Sequence, residues 1–309
     1  MTVIVRELRP GTPSDIEGFI GVRHRALPYV FFSPESVRHA LSLSHPHAHL
    51  RMLVAEEDGE IVGTVQAGLA HESPEPGQGY LNVYVDPART GRGAGALLVR
   101  AAEEHLAEHG ATDLYAWVLD EPANRTFAER HGYRASRSAH FLVLDLAHAT
   151  LPPLQDPPPG VELRTAADFA DDPRPLFTLD AEAGSDEPGD IGTEFTDYEA
   201  WVEEYWRHPH LDLELTSVAV ADGRPVAFSV AHTNAPGRYS TGMTGTARAF
   251  RGRGLAKLVK NASLHRARAA GYTRAYTGND SDNGPMLAVN KWFGYRIHAT
   301  EVRYARTVG

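Results

Sequence analysis

Two segments rich in glycine and arginine, each at the start of an apolar helical pattern, have the composition of a phosphate-binding site. One reads RTGRGAGALL over residues 89–98, and the other reads RGRGLAKLV over residues 251–259. The first N–H groups of a helix lack partners within the helix and carry partial positive charge. Glycine lets a phosphate approach these groups closely, and arginine adds further positive charge. Both segments therefore predict an anion-binding helix start.

The spacing of the glycines argues against two common nucleotide sites. A P-loop requires the pattern GxxxxGK[ST], which neither segment contains. Gly91, Gly93 and Ala96 formally fit the dinucleotide pattern GxGxxG/A. In dinucleotide-binding folds the strand runs almost directly into the glycines, whereas here residues 86–90 intervene and the second segment breaks the pattern. The context must therefore decide which phosphate compound binds.

The two segments occupy equivalent places in a repeated sequence. Three glycines of the first half recur in the second half after 161 or 162 residues, as Gly93, Gly110 and Gly132 against Gly254, Gly271 and Gly294. Between the halves, residues 151–160 include five prolines, which interrupt helices and strands. The sequence thus predicts an N-terminal domain over residues 1–150, a proline-rich linker over 151–160 and a C-terminal domain over 161–309.

Each repeat carries the same order of predicted elements. A strand and helical segments come first, followed by a hairpin that turns at Asp58-Gly59 in one repeat and at Asp222-Gly223 in the other. A further strand leads into the glycine segment and its helix, and a strand, a short helix and a last strand follow. This order predicts a mixed α/β fold in each domain, with a mainly antiparallel sheet flanked by helices.

Composition excludes several classes of protein. The 309 residues are 42% apolar, which is enough to build two cores, and the absence of cysteine excludes disulfides, zinc–cysteine sites and thiol catalysis. A net charge of −10 argues against nucleic acid as a partner. No apolar run is long enough to span a membrane, and no signal-peptide pattern opens the chain. We therefore expect a cytoplasmic protein that associates with neither membranes nor nucleic acid.

Alternating histidines in the first half raise the question of a metal site. His45, His47 and His49 are spaced as ligands on a strand, but Pro46 lies between them and no acidic residue accompanies them. We interpret this segment as a polar loop and expect no metal.

Both repeats resemble the GNAT superfamily of acyl-CoA-dependent N-acyltransferases, and the resemblance covers nearly the whole chain. The superfamily pattern is [Q/R]-x-x-G-x-[G/A] at the start of the helix that follows the fourth strand. Arg251, Gly254 and Ala256 match it fully, while the first repeat keeps the glycines but has Thr90 in the basic position. In layout the chain is similar to the tandem acyltransferases that include mycothiol synthase.

This resemblance implies that acetyl-CoA is the co-substrate and that the pyrophosphate of coenzyme A binds the glycine segments. The residues implied are Arg251, Gly252, Arg253, Gly254, Leu255 and Ala256 in the second repeat and Gly91, Arg92, Gly93, Ala94 and Gly95 in the first. It also implies that the thioester lies where the fourth and fifth strands separate, with a backbone N–H of the fourth strand facing the thioester oxygen.

The implied reaction is direct attack of an amine on the thioester, which needs a base for the amine and a proton for the departing thiolate. The second repeat keeps the phosphate pattern and the superfamily's Asn, at Asn283, so we expect it to be catalytic and the first to support it. The superfamily's tyrosine is replaced by Asn290, which leaves Tyr276, Tyr239 or water as the candidate proton donor. His232, at the end of the third strand, is the candidate base.

The predicted acceptor is the primary amine of a small molecule. Two alternatives remain open, namely catalysis in the first repeat and an acyl-CoA-binding protein without catalysis. The acidic and aromatic segment around Asp186, Tyr198 and Trp201 fits either a site for a cationic amine or a helix with an aromatic face in the core. The repeats are also compatible with packing as an internal pseudo-dimer.

Overall fold

The computed structural model of the chain describes residues 2–192, 194–235 and 237–308. The chain divides into two compact units: the first unit is Met1–Ser138 with Thr300–Gly309, and the second unit is Ala139–Ala299. Each unit carries a six-stranded, mainly antiparallel sheet with helices against it. The predicted mixed α/β class is therefore confirmed.

The first repeat forms six strands and four helices. They are β1 (Val3–Glu7), α1 (Pro13–Ala26), α2 (Pro34–Leu43), β2 (Arg51–Glu57), β3 (Glu60–Leu69), β4 (Gln78–Val85), α3 (Ala94–Glu108), β5 (Asp113–Leu119), α4 (Pro122–Arg130) and β6 (Arg134–Asp145).

The second repeat forms the same number of each. They are β7 (Val161–Thr165), α5 (Arg174–Gly184), α6 (Tyr198–Trp201), β8 (Ser217–Ala221), β9 (Arg224–Ala235), β10 (Arg238–Thr246), α7 (Leu255–Ala269), β11 (Arg274–Asp280), α8 (Gly284–Trp292) and β12 (Arg296–Thr307). A single stretch of π-helix, Val202–Trp206, follows α6 directly.

Each sheet takes its sixth strand from the other repeat. The order in the first unit is β1-β2-β3-β4-β5-β12, because residues 301–307 pair antiparallel with β5. The order in the second unit is β7-β8-β9-β10-β11-β6, because residues 139–145 pair antiparallel with β11. The bounds 1–150, 151–160 and 161–309 thus remain a prediction about the repeat in the sequence, while the compact units divide within β6 and β12.

Local sequence signals explain the two predicted hairpins. Asp58 and Gly59 have φ of 51° and 81°, and Asp222 and Gly223 have φ of 50° and 74°. Two consecutive residues with positive φ form the turn that matches strand twist, and Asp-Gly tolerates this conformation well. Both hairpins therefore turn where the sequence predicts.

The helix after each glycine segment packs its apolar face on the sheet of its own unit. In α3, Leu98 and Leu106 are fully buried beside Leu53 and Val65 of the sheet. Full burial of one such side chain contributes about 1.5–3 kcal/mol, so the helix start is held firmly against the sheet. Among the helices in the described ranges, none combines the length and the apolarity needed to cross a bilayer.

Candidate active site

The two glycine segments adopt the same backbone conformation at the starts of α3 and α7. Gly93 and Gly254 are the N-cap residues, with φ of 92° and 80°, and Gly91 and Gly252 precede them with φ of 77° and 75°. Only glycine adopts this region without strain. No described atom lies within 4 Å of the position that a Cβ would take at any of the four. Both helix starts therefore leave room for a phosphate group.

The residues that follow these glycines act through their backbone. Ala94 and Leu255 open the helices and are each 2% exposed, so their side chains belong to the cores. Gly95 lies under α4, where a Cβ would be 3.1 Å from the ring of Phe127. A side chain at position 95 would therefore be tight against Phe127, whereas Ala256 stands at the equivalent place in α7.

Carboxylates pair with an arginine of each segment. In the second unit Asp186 binds Arg251 at 2.6 Å and Arg248 at 2.7 Å, and these bonds hold the pKa of Asp186 well below its usual range. In the first unit Glu57 binds Arg92 at 3.1 Å. Because these arginines are largely exposed, a phosphate can reach the same guanidinium groups and share them.

Two more cations lie in or next to the first turn of α7. Arg253 donates to the carbonyl of Ala249 at 3.2 Å, and the Nζ atom of Lys257 lies 4.7 Å from the ring centre of Trp292. The sequence analysis missed Lys257, although its place in the first helical turn, three residues after Gly254, was a usable signal.

In both units the fourth and fifth strands separate after three parallel pairs. The last pairs are Ser240–Tyr276 in the second unit and Tyr80–Tyr115 in the first. The separating strands leave a slot between β10 and β11 in the second unit and between β4 and β5 in the first. Each slot lies next to a glycine segment.

The two openings differ in what occupies them. In the first unit Asn82, two residues beyond the last pair, accepts a hydrogen bond from the backbone N–H of Trp117 at 3.3 Å and so bridges the opening. Counted from the last parallel pair, the residue at this place in the second unit is Gly242, which has no side chain. The second opening is joined one residue beyond that pair, where Oγ1 of Thr277 donates to the carbonyl of Thr241 at 3.2 Å. In addition, β10 shifts its register against β9 between Thr241 and Thr244, whereas β4 pairs with β3 without a shift over its described pairs. A shift of this kind leaves backbone groups of β10 outside the ladder.

Two of the three predicted catalytic residues fall in one row across three strands. Ser240 of β10 pairs with His232 on one side and with Tyr276 on the other, so the three side chains share one face of the sheet. A Cβ at Gly242 would lie 3.0 Å from Cε1 of His232, which places the imidazole against the irregular part of β10. Burial lowers the pKa of His232 to about 4. The imidazole is therefore neutral at neutral pH, but it is a weak base.

The third predicted residue, Asn283, serves as a helix cap. Its Oδ1 accepts a hydrogen bond from the N–H of Met286 at 3.2 Å at the start of α8. Asn290, in the tyrosine position, is fully buried and donates from Nδ2 to Asn279. A catalytic role for Asn283 remains a prediction, since the structure gives this side chain a capping role.

The aromatic segment after α5 packs into the core of the second unit. Trp201 is 5% exposed, and its ring centre lies 5.6 Å from that of Phe177. The aromatic face is therefore a core face. One polar group accompanies it, because Nε1 of Trp201 donates to Asp180 at 2.8 Å.

Asp180 is a candidate functional residue that the sequence analysis missed. Burial raises the pKa of its carboxyl to about 6. Ala183 of α5 contacts β10 at Gly245, where a Cβ would be 2.6 Å away, and Asp186 pairs with Arg248. Helix α5 thus packs against β10, and Asp180 lies three residues before Ala183 on that helix. The signal was an acidic residue within the apolar face of a helix.

Lys260 of α7 is a second residue that went unnoticed. It is fully buried, and within the described chain its Nζ has no hydrogen-bond partner. The ring centre of Tyr295 lies 5.1 Å from Nζ. Burial lowers the pKa of Lys260 to about 7. The amine therefore changes between its charged and neutral forms near neutral pH.

We predict that Lys260→Met stabilises the protein near neutral pH. Removing a buried charge that has no counter-ion removes a desolvation cost. Because the pKa of Lys260 falls from 10.5 to about 7 on folding, wild-type stability rises with pH across that window, by about 1.4 kcal/mol per pH unit, and is lost as pH falls toward 7. Thermal melts from pH 7 to 9 should show a flatter dependence for Lys260→Met than for the wild type. Exposed Lys291→Met is the control, and equal pH slopes in all three proteins would contradict the prediction.

The sequence of the chain matches a known protein family twice. A family model described as Acetyltransferase (GNAT) family matches residues 21–133 and again residues 175–295. The chain belongs to the GNAT family, with one copy in each half. It is an acyltransferase of the GNAT type, and acetyl-CoA is its co-substrate.

Two similar bacterial proteins are named mycothiol acetyltransferases. The protein of Nocardia farcinica is 33% identical over 278 residues, which is 88% of each chain. That of Nocardioides sp. is 30% identical over 242 residues, covering 73% of this chain and 80% of the relative.

Solved structures show the same tandem fold. A tandem GNAT protein from the clavulanic acid biosynthesis pathway has a TM-score of 0.74 at 20% identity and covers 100% of this chain and 99% of its own. A GCN5-related N-acetyltransferase from Sphaerobacter thermophilus has a TM-score of 0.73 at 21% identity, covering 99% and 95%. At these identities the likeness concerns the fold alone.

Proposed function

We propose that the chain transfers the acetyl group of acetyl-CoA to the primary amine of a small molecule, with the second unit catalytic and the first supporting. The register shift of β10 beside Gly242, which β4 lacks, carries this proposal. A thioester needs an open slot between the fourth and fifth strands, and Asn82 bridges that slot in the first unit. The acetyltransferase activity named for the Nocardia and Nocardioides relatives supports transfer to a small molecule.

In this proposal α7 binds the pyrophosphate and β10 binds the thioester. The free N–H groups after Gly254, together with Arg251, Arg253 and Lys257, supply positive charge at one end of the slot. Backbone N–H groups at the register shift of β10 stabilise the oxyanion that forms as the amine attacks. Groups arranged in advance around a developing charge give a large share of enzymatic rate enhancement.

Proton removal from the amine is assigned to Asp180. A general base works best when its pKa lies near the working pH, and the carboxyl of Asp180, at about 6, meets this condition better than His232, at about 4. His232 and Tyr276 lie in one row with Ser240, next to the slot between β10 and β11. The departing thiolate takes its proton from Tyr276 or from solvent.

The first test measures thiol release from acetyl-CoA over a panel of primary amines, including polyamines, amino sugars and amine-bearing thiol conjugates. The proposal expects release that depends on the amine, with mass spectrometry detecting the acetylated amine. Binding of acetyl-CoA without amine-dependent thiol release over the whole panel would make the chain a binding protein.

Asp180→Asn should lower kcat/KM by about 10²–10⁴-fold, the range for loss of a general base. The base acts in its ionised form, so the wild-type kcat/KM should fall as pH drops below about 6. Asp172→Asn, an exposed neighbour that precedes α5, is the matched control. An unchanged rate for Asp180→Asn, or a wild-type profile that falls only near pH 4, would transfer the role to His232.

A further inference from the structure

Arg23 of α1 is a buried cation in the first unit, at a distance in sequence from both glycine segments. Its side chain lies among three aromatic rings, and the guanidinium carbon is 4.4 Å from the ring centre of Phe19 and 5.0 Å from those of Phe32 and Tyr84. The residue is 2% exposed. The three rings cover the faces of the guanidinium. A ligand could therefore bind only through the N–H groups, which point outward in the plane of the guanidinium.

Those N–H groups are mostly unused. Nη1 lies 3.4 Å from Oε1 of Gln66, at the long limit of a hydrogen bond. Nε and Nη2 are buried and have no hydrogen-bond partner in the described chain. Nε and Nη2 lie on the same side of a guanidinium and present two parallel N–H groups. This pair is the one that binds a carboxylate through both oxygens.

The electrostatic surroundings of Arg23 also lack a counter-ion. Among the described residues no carboxylate pairs with it, and the charges that act on it come from Tyr84 and Tyr80. Burial lowers its pKa to about 10, so the group stays charged at neutral pH. An unpaired buried charge is costly to the fold, and a bound anion would remove that cost.

Arg23 lies near the opening between β4 and β5 in the first unit. Tyr84, one of the covering rings, lies on β4 two residues beyond Asn82, which bridges that opening. Phe19 and Tyr84 belong to a helix and a strand, whereas Phe32 belongs to the connection between α1 and α2. Phe32 is therefore the covering ring that can move without breaking an element.

We propose that the first unit binds a carboxylate through Nε and Nη2 of Arg23, with entry past Phe32. The ligand is a small carboxylic acid, either free or as the end of an acyl chain on coenzyme A. The site is independent of the chemistry proposed for the second unit, because it uses other residues in another sheet.

The test follows the Nε–H signal of Arg23 by proton–nitrogen NMR of the full chain. The signal is assigned by its loss in Arg23→Lys, which keeps the charge and removes the paired N–H groups. Probes are acetate, benzoate and L-glutamate with the matching neutral amides, and succinyl-CoA against acetyl-CoA. The proposal expects carboxylates, but not amides, to move the signal.

Affinities provide the second measurement. Arg23→Lys and Arg23→Met should weaken binding of the active carboxylate by about 10- to 100-fold, the value of a charge-assisted bidentate pair. Exposed Arg38→Met on α2 should not change it. A shift with the free acids identifies a small-molecule site, and a shift with succinyl-CoA alone identifies an acyl-chain site. If no carboxylate probe moves the signal, the site proposal is overturned. A higher melting temperature for Arg23→Met would then identify Arg23 as only a costly buried cation.

Discussion

Gly254→Glu is expected to abolish acetyl transfer, with a loss of at least about 100-fold in kcat/KM, while Gly93→Glu retains most of the activity. Gly254 caps α7 at φ 80°, in the space where the pyrophosphate is proposed to bind. A glutamate there adds negative charge and a side chain at the helix start that the phosphates need. Gly93 has the same conformation, with φ of 92° at the start of α3.

The two substitutions form a matched pair. Each forces a non-glycine residue into the left-handed region, which costs about 1–2 kcal/mol in either unit. Loss of stability is therefore similar, and thermal melts of both variants check this. Thiol release at saturating amine is the measurement. A larger loss for Gly93→Glu than for Gly254→Glu would move catalysis to the first unit.

Gly242→Asn is expected to remove activity without removing binding of the coenzyme A phosphates. The substitution places in the second unit the side chain that bridges the opening of the first, where Asn82 accepts from Trp117. We expect kcat to fall by about 10²–10³-fold, because a side chain across the slot would keep the thioester oxygen from a backbone N–H of β10, and loss of one oxyanion donor typically costs this much. The new Cβ would lie 3.0 Å from His232, so this ring must shift slightly.

Gly242→Ala and Asn82→Gly serve as controls for Gly242→Asn. Gly242→Ala has the same Cβ but lacks the amide that reaches across the slot, and should lose far less activity. Asn82→Gly should leave the rate near wild type, because the first opening is not used for transfer. Equal losses for Gly242→Ala and Gly242→Asn would show that the Cβ atom at position 242 causes the loss, and that the bridging amide does not.

Local patterns in the sequence were enough to predict the turns and the glycine segments. Asp58-Gly59 and the glycines at 93 and 254 each need positive φ, a requirement that few residue types meet. The order of strands and helices followed from short-range patterns for the same reason. These patterns predicted the fold class, which is confirmed, and they place the proposed phosphate site at the two helix starts.

Features that depend on distant partners were beyond such patterns. The pairing of residues 301–307 with β5 depends on strands far apart in sequence and has no local signal. The ion pair of Asp186 with Arg251 likewise joins a helix end to a loop 65 residues later. Asp180 and Lys260 look like ordinary charged residues until packing buries them. Burial, which shifts their pKa, is a property of the whole unit rather than of a segment.

The most direct test is a crystal structure of the chain with a ketone analogue of acetyl-CoA, in which a methylene group replaces the thioester sulfur so that the acetyl group cannot be transferred. The account predicts the pyrophosphate at the start of α7, and the ketone oxygen within hydrogen-bond distance of the β10 backbone at residues 242–243. It also predicts the methyl group on the side of Asp180 and His232. An analogue seated between β4 and β5, with Asn82 displaced and the β10/β11 opening empty, would contradict it.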